Sequence, residues 1–372
     1  MTRATAPPVA VISAGIGAGH DGAARELARR LTALGVPVTR HDFLDLLPAG
    51  LGRTLRGTYA RQLSVAPATW GWLLHAMAGP RMSDGVAALS HRAAADRMLA
   101  AIGPAPAAVV STYPLASQVL GRLRRSGRLR APAVAFITDP SVHRLCVAAG
   151  IDLYLAPGRT TAEHVRRLHG ARTVAVAPVV GPAFRPARGR YEMVAARRRL
   201  GLPLHERLTV VVAGSWGVGD IDRTVEDIVA SATSVPVVVC GRNESLRRRL
   251  TQSGTAIALG WVDKMPDLLR AADAVVHNAG GLSSMEAMAS GVPVISYRCL
   301  PGHGVANAAV LAAEGLSPWP ATPAGLTSAL RHALDGNHRR RPVPTIEPDA
   351  ATIVAELAGV RVPAAGEAVA AA

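Results

Sequence analysis

The chain has 372 residues, 49% of them apolar, and a formal net charge of +15. That length suits two cores of roughly 150–200 residues each rather than one. No apolar run approaches the roughly 18–20 residues of a membrane-spanning helix, and no secretory leader precedes the first apolar run at 9–12. The expectation is therefore a cytoplasmic protein, soluble or peripheral at the inner face of the membrane. Cys146, Cys240 and Cys299 lie far apart without C-x-x-C spacing, which argues against a disulfide framework or a zinc site.

Lys264 is the only lysine, so nearly all the positive charge is arginine. An excess of that sign suits an anionic partner such as a phosphorylated substrate or an acidic membrane face. Nucleic acid fits poorly. Aromatic residues make up only 3% of the chain, too few for stacking platforms, and no nucleic-acid-binding motif is present.

Taken in chain order, short β-branched runs at 9–13, 36–40, 108–111, 134–138, 153–156 and 173–177 alternate with Ala/Leu/Arg-rich helical stretches. A second series at 208–213, 235–240, 255–259, 274–277 and 292–297 repeats the rhythm. Alternating strands and helices predict parallel sheets, and near-continuous apolar strands predict sheets covered on both faces. The fold class is α/β: two Rossmann-like domains facing each other across a cleft. The first spans 1–180. A connection at 181–206, rich in proline and carrying Arg197, Arg198 and Arg199, leads to a second domain at 207–336. The remainder, 337–372, holds a last helix near 350–358 and a small-residue tail from Val362 that reads as disordered.

Each half opens with a strand and a glycine loop: Gly15-Ile16-Gly17-Ala18-Gly19 in the first, Gly214-Ser215-Trp216-Gly217 in the second. In doubly wound sheets such loops lie at the carboxyl ends of strands, where ligands bind. His20, closing the first loop at a helix start, is a candidate general base, since imidazole is neutral near pH 7. Asp139 ends an apolar strand on the same side and either orients His20, acts as the base with His143 nearby, or caps the next turn. A dinucleotide fingerprint would place glycine where His20 stands, although Asp42 lies at a ribose-binding distance. The pair Asp220 and Asp222 matches a metal-holding D-x-D pattern but also suits a helix start; no metal or cofactor is expected. The stretch 55–80 mixes Tyr59, Trp70, Trp72 and Leu73 with arginines. It reads either as a segment resting in an anionic lipid interface or as an ordinary amphipathic helix and loop.

The most informative segment is 277–307. A strand runs into Gly280-Gly281-Leu282-Ser283-Ser284 and a helix, so backbone N–H groups at the helix start would face a diphosphate. Glu286, one turn in, can accept the two hydroxyls of a ribose. Ser283-x-x-Glu286 is equally a capping box, with Glu286 folded back on the backbone.

This segment, with Pro301-Gly302 and Asn307, resembles the donor-site signature of the monogalactosyldiacylglycerol synthase and processive diacylglycerol glucosyltransferase family. These are relatives of the lipid-intermediate GlcNAc transferase of peptidoglycan synthesis. Gly15–His20, Thr138-Asp139-Pro140-Ser141, Cys240-Gly241-Arg242-Asn243 and Gly260-Trp261-Val262-Asp263-Lys264-Met265 fall in the family's order, so the resemblance covers most of 9–315. It implies a GT-B type fold and an inverting, metal-independent hexosyltransferase that uses a UDP-sugar and a lipid acceptor of the diacylglycerol kind. In such enzymes the turn Gly280, Gly281, Leu282, Ser283, Ser284 would hold the pyrophosphate and Glu286 the ribose. Main chain around Val262 and Met265 would pair with uracil, and Ser215, with the loop glycines Gly17 and Gly19, would lie at the phosphates. His303 and Asn307 would touch the sugar. The family's Gln-Glu after Pro-Gly is here His303-Gly304, which leaves the sugar open. A soluble natural-product acceptor and a non-catalytic nucleotide-sugar or lipid sensor are the rival readings.

Overall fold

The computed structural model describes residues 6–48, 50–65, 79–335 and 349–362. Its first sheet contains β1 (Val9–Ser13), β2 (Val38–Asp42), β3 (Ala108–Ser111), β4 (Ala133–Phe136), β5 (Leu153–Pro157) and β6 (Thr173–Val176). All are parallel, in the order β2-β1-β3-β4-β5-β6. The second contains β7 (Leu208–Val212), β8 (Val235–Val239), β9 (Ile257–Leu259), β10 (Ala274–His277) and β11 (Val294–Ser296), parallel in the order β11-β10-β7-β8-β9. The eleven strands lie where β-branched runs were expected, with ends shifted by a few residues, as strand ends generally are. Parallel pairing requires helical crossovers. In the first half these are α1 (Ala18–Ala33), α2 (Leu51–Val65), α3 (Pro80–Ile102), α4 (Pro114–Arg125) and α5 (Arg159–His169). In the second they are α6 (Arg190–Leu200), α7 (Ile221–Ala230), α8 (Glu244–Ser253), α9 (Met265–Ala271), α10 (Leu282–Ala289), α11 (His303–Ala313) and α12 (Pro323–Leu334). A last helix, α13 (Ala350–Leu357), follows.

Alternate residues of each strand feed the apolar layers above and below its sheet. Val9, Val11, Val110 and Val134 pack with Leu27 and Leu31 of α1 on one face. Ala10, Ile12 and Val109 pack with Met98 of α3 and Leu120 of α4 on the other. The two layers around the second sheet are built the same way from Val210 and Val275, and from Val211 and Val276.

Two parts of the chain depart from the expected domain plan. The segment expected to connect the domains contains α6, which belongs to the second domain. Ala196 and Leu202 are buried in its core. Arg197 is only 3% exposed because every arm of its guanidinium is used: Nε on Ala271 O, Nη1 on Leu204 O and Glu206 O, Nη2 on Asp273. A buried arginine with four of its five N–H donors bonded acts as a structural rivet. The crossover is therefore much shorter, with Val179 buried in the first core and Val180 packed against the second. After the second domain the chain returns, and Ala350, Ala351, Val354 and Ala355 of α13 are buried in the core of the first. Arg30 of α1 pairs with Asp349 at the start of α13 and bonds Val180 O at the crossover.

Candidate active site

Both strand orders reverse direction once: between β1 and β3 in the first sheet, and between β7 and β10 in the second. Loops leaving the carboxyl ends of strands on either side of such a reversal splay apart and leave a crevice. Here the two crevices face each other and merge into one cavity of about 210 Å³. Ile16, Gly17, Ala18, Gly19 and His20 line it from the first domain, together with Thr138 and Asp139. The second domain contributes Gly214, Ser215 and Trp216, the turn Gly280, Gly281, Leu282, Ser283 and Ser284, and His303.

His20 is the third residue of α1. Its Nδ1 lies 2.7 Å from the carbonyl oxygen of Thr112, with Thr138 Oγ1 at 3.1 Å. Bonding to a carbonyl requires a proton on Nδ1, so Nε2 carries the lone pair of the neutral ring. Tyr113 buttresses the imidazole edge-on. Burial depresses the His20 pKa, opposed by the nearby charge of Asp139 and by the Thr112 bond. The imidazole is thus oriented and, with its pKa lowered, neutral at pH 7. The orienting contact comes from Thr112, at the end of the neighbouring strand β3. Asp139 instead accepts a 3.3 Å bond from Asn307 Nδ2. It lies near His20, His143 and His303, and burial lowers the pKa of all three.

Two helix starts open on the cavity, α1 after Gly17 and α10 after Gly281, and neither N-cap glycine has a side chain to cap it, though Ser215 Oγ of the second domain takes the Ala18 N–H of α1. Uncapped N–H groups carry partial positive charge and suit a diphosphate. Gly280 has φ of +72°, and a Cβ there would lie 2.8 Å from Asn307 Cβ, so the turn demands glycine. The capping-box alternative is not realised. The helix starts two residues before that reading requires, and Ser284 bonds back to Gly281 O instead. The Glu286 side chain makes no hydrogen bond to the described residues. Burial pushes its pKa up to about 7, with Arg25 of α1 pulling the other way. A half-buried carboxyl without a hydrogen-bond partner in the protein has its oxygens open to hydroxyl donors once it is ionised.

The domains touch through these same loops. Ala18 N donates to Ser215 Oγ at 3.2 Å and Trp216 Nε1 to Ile16 O at 3.1 Å. Leu282 lies against the glycine face of α1: a Cβ at Gly22 would come within 2.6 Å of its Cδ2. Gly22 and Thr112 escaped sequence reading. Gly22 had a signal, its i, i+3 spacing from Gly19; Thr112 had none, because it acts through its backbone carbonyl. Val262 packs on the second core, Met265 begins α9, and neither is among the residues lining the cavity. The Arg242 guanidinium stacks over Trp216, which lines the cavity, at 5.4 Å and over Trp261 at 4.8 Å.

Asp42, the would-be dinucleotide carboxylate, is consumed locally by Gly15 N, Leu44 N and Arg56. Asp220 and Asp222 pair with different arginines, Arg298 and Arg249. Tyr59 falls in α2, but its side chain, like Trp70, Trp72 and Leu73, lies outside the described residues.

Comparison with known proteins bears on this geometry. Residues 209–335 match the family described as glycosyl transferases group 1. Over 95% of the chain the fold superposes on 98% of the crystal structure of TcCGT1 in complex with UDP, with a TM-score of 0.60 and 13% identity. It superposes likewise on 99% of MurG from Acinetobacter baumannii, with a TM-score of 0.51 and 16% identity. The fold is GT-B.

In sequence, the GT-B chain resembles the processive diacylglycerol beta-glucosyltransferase of Bacillus cereus (strain G9842), at 26% identity over 220 residues. That alignment takes in 56% of this chain and 55% of the relative, so the chain spans about half the length of the curated relatives it matches. The family resemblance read from the motifs thus holds, and the matched second domain is the one that carries the Gly280 turn and Glu286.

Proposed function

We propose that the protein is an inverting glycosyltransferase that moves a hexose from a UDP-sugar to a hydroxyl of a diacylglycerol-like lipid. One observation carries the reading. A single cavity is lined on one side by His20, a neutral base with its lone pair on Nε2, and on the other by an uncapped, glycine-started helix suited to a diphosphate. His20 Nε2 takes the acceptor proton as the oxygen attacks the anomeric carbon. Asp139 stabilises the imidazolium that forms, and the N–H groups at the start of α10 stabilise the departing diphosphate. Glu286 accepts the ribose hydroxyls, Ser215 with Gly17 and Gly19 borders the phosphates, and His303 faces the sugar. No metal is assigned a role in this reading.

The donor class is supported by the UDP-bound GT-B relative, and the lipid acceptor by the processive diacylglycerol glucosyltransferases. Leu51, Leu55, Met82 and Leu89 are large apolar side chains exposed on α2 and α3, which suits peripheral contact with an anionic membrane. Among the described residues no helix is long and apolar enough to cross a membrane. Incubation with a panel of nucleotide sugars and total lipid extract, read by mass spectrometry, should yield one glycolipid with UDP released. NMR of that product should show an anomer opposite to the donor's. A retained anomer overturns the single displacement, and turnover only on soluble acceptors, unaffected by liposomes, overturns the lipid assignment.

A further inference from the structure

Asn307, on the second turn of α11, is completely buried. Its Oδ1 accepts from Ser141 N at 2.9 Å and Ser141 Oγ at 2.6 Å. Its Nδ2 donates to Ala279 O at 2.9 Å and Asp139 Oδ1 at 3.3 Å. A carboxamide has two donors and two acceptor lone pairs, and all four are taken. The partners also fix which end is oxygen, since a backbone N–H must face Oδ1 and a carbonyl must face Nδ2. No capacity is left for a sugar hydroxyl, the role that family resemblance implies for this position.

The four bonds instead join two loops from different domains: Asp139 to Ser141, after β4, and the turn that follows β10. The surroundings are tight. Asp139 Oδ1 would lie 3.0 Å from a Cβ on Gly281, and Asn307 Cβ occupies the space a side chain on Gly280 would need. The other titratable groups that feel the Asp139 charge are His20, His143, Cys146 and His303.

We propose that Asn307 is a positioning residue that sets the Asp139 carboxylate from the donor domain, so that the proton-handling side of the cleft is in register only when the two domains are joined at the Gly280 turn. The inference rests on the reading of the cleft as the site of glycosyl transfer. It explains why a buried amide sits at the domain junction: a polar group buried there holds its place only if every bond is made, which selects one relative placement of the loops.

The test separates positioning from sugar reading. Asn307→Ala should lower kcat about 10- to 100-fold while the ratio of UDP-sugar to UDP affinity stays unchanged. Asn307→Asp should be worse than alanine, because it sets a second carboxylate against Asp139 and the Ala279 carbonyl. A sugar-reading residue gives the opposite pattern, with UDP-sugar affinity lost selectively and aspartate tolerated; that result overturns the proposal. A measurement that needs no substrate runs alongside. Asn307→Asp should lower Tm by roughly 5 °C, and the double variant Asp139→Asn, Asn307→Asp should regain part of the loss by remaking the bond with its ends exchanged. No recovery overturns the proposal, whereas failure of UDP to bind the wild-type protein overturns the underlying reading of the cleft instead.

Discussion

Gly17 and Gly280 each lie between a strand and a helix that opens on the cavity, β1 and α1 in the first domain and β10 and α10 in the second. Gly17 has an extended backbone, φ −143°, and nothing within 4 Å of where a Cβ would be. Gly280 has φ +72° and no room, with Asn307, His277 and Leu311 pressed around it. In the first domain, then, glycine leaves space for something that enters the cleft. In the second, glycine makes the turn possible at all. The same residue type in the same context answers a ligand in one place and the backbone in the other.

Gly280→Ala is the hardest test of that contrast. Left-handed strain and overlap with Asn307 together should cost about 2–4 kcal/mol, seen as a lower midpoint in denaturant unfolding, with UDP binding lost. Unchanged stability would mean the turn tolerates a side chain and the contrast is false. His20→Ala, beside the spacious loop, should leave stability and UDP affinity intact while kcat falls about 10²- to 10⁴-fold. A variant of full activity would remove His20 from the chemistry.

Glu286→Gln tests the donor side more gently, with a loss of donor affinity on the order of 10-fold. Because burial raises the Glu286 pKa from its ordinary 4.5 to about 7, the wild-type carboxyl is ionised only above that point. Donor affinity of the wild type should therefore rise as pH climbs through about 7, and the glutamine variant should lack the rise. The stability linkage runs the other way. A carboxyl whose pKa is higher folded than unfolded binds its proton more tightly in the native state, so its contribution is full below about 4.5 and declines as pH rises toward 7. Unfolding measured at pH 5 and pH 8 should show the variant gaining on the wild type at the higher pH. The smallest effect belongs to Gly17→Ala, expected within about 0.5 kcal/mol of wild type in stability, with only donor affinity or turnover reduced. A large loss of stability there would erase the difference between the two turns.

Much of this site was legible in advance, and the parts that were not share a cause. The strands, the glycine turns and the cleft-side placement of His20 and Asp139 follow from local patterns. The environment of Glu286 did not: its spacing from Ser283 fits a capping box, and only the start of α10 at Leu282 rules that box out. Nor did Asn307, whose three partner residues lie 28 to 168 residues away along the chain. The return of α13 to the first domain carried no local mark, because its Ala/Val face fits any apolar surface.

The sequence by itself determined a doubly wound, two-domain α/β chain with glycine-started helices at its cleft, because apolar period and backbone sterics act over a few residues and are written there directly. Only the tertiary structure decided which polar atoms are spent within the protein and which are left for a ligand. Thr112 orients His20, Asn307 is fully bonded, and the Glu286 side chain makes no hydrogen bond among the described residues. Hydrogen-bond partnership depends on where distant segments meet, and a buried polar atom takes whatever partner the packing of the two domains brings within about 3 Å.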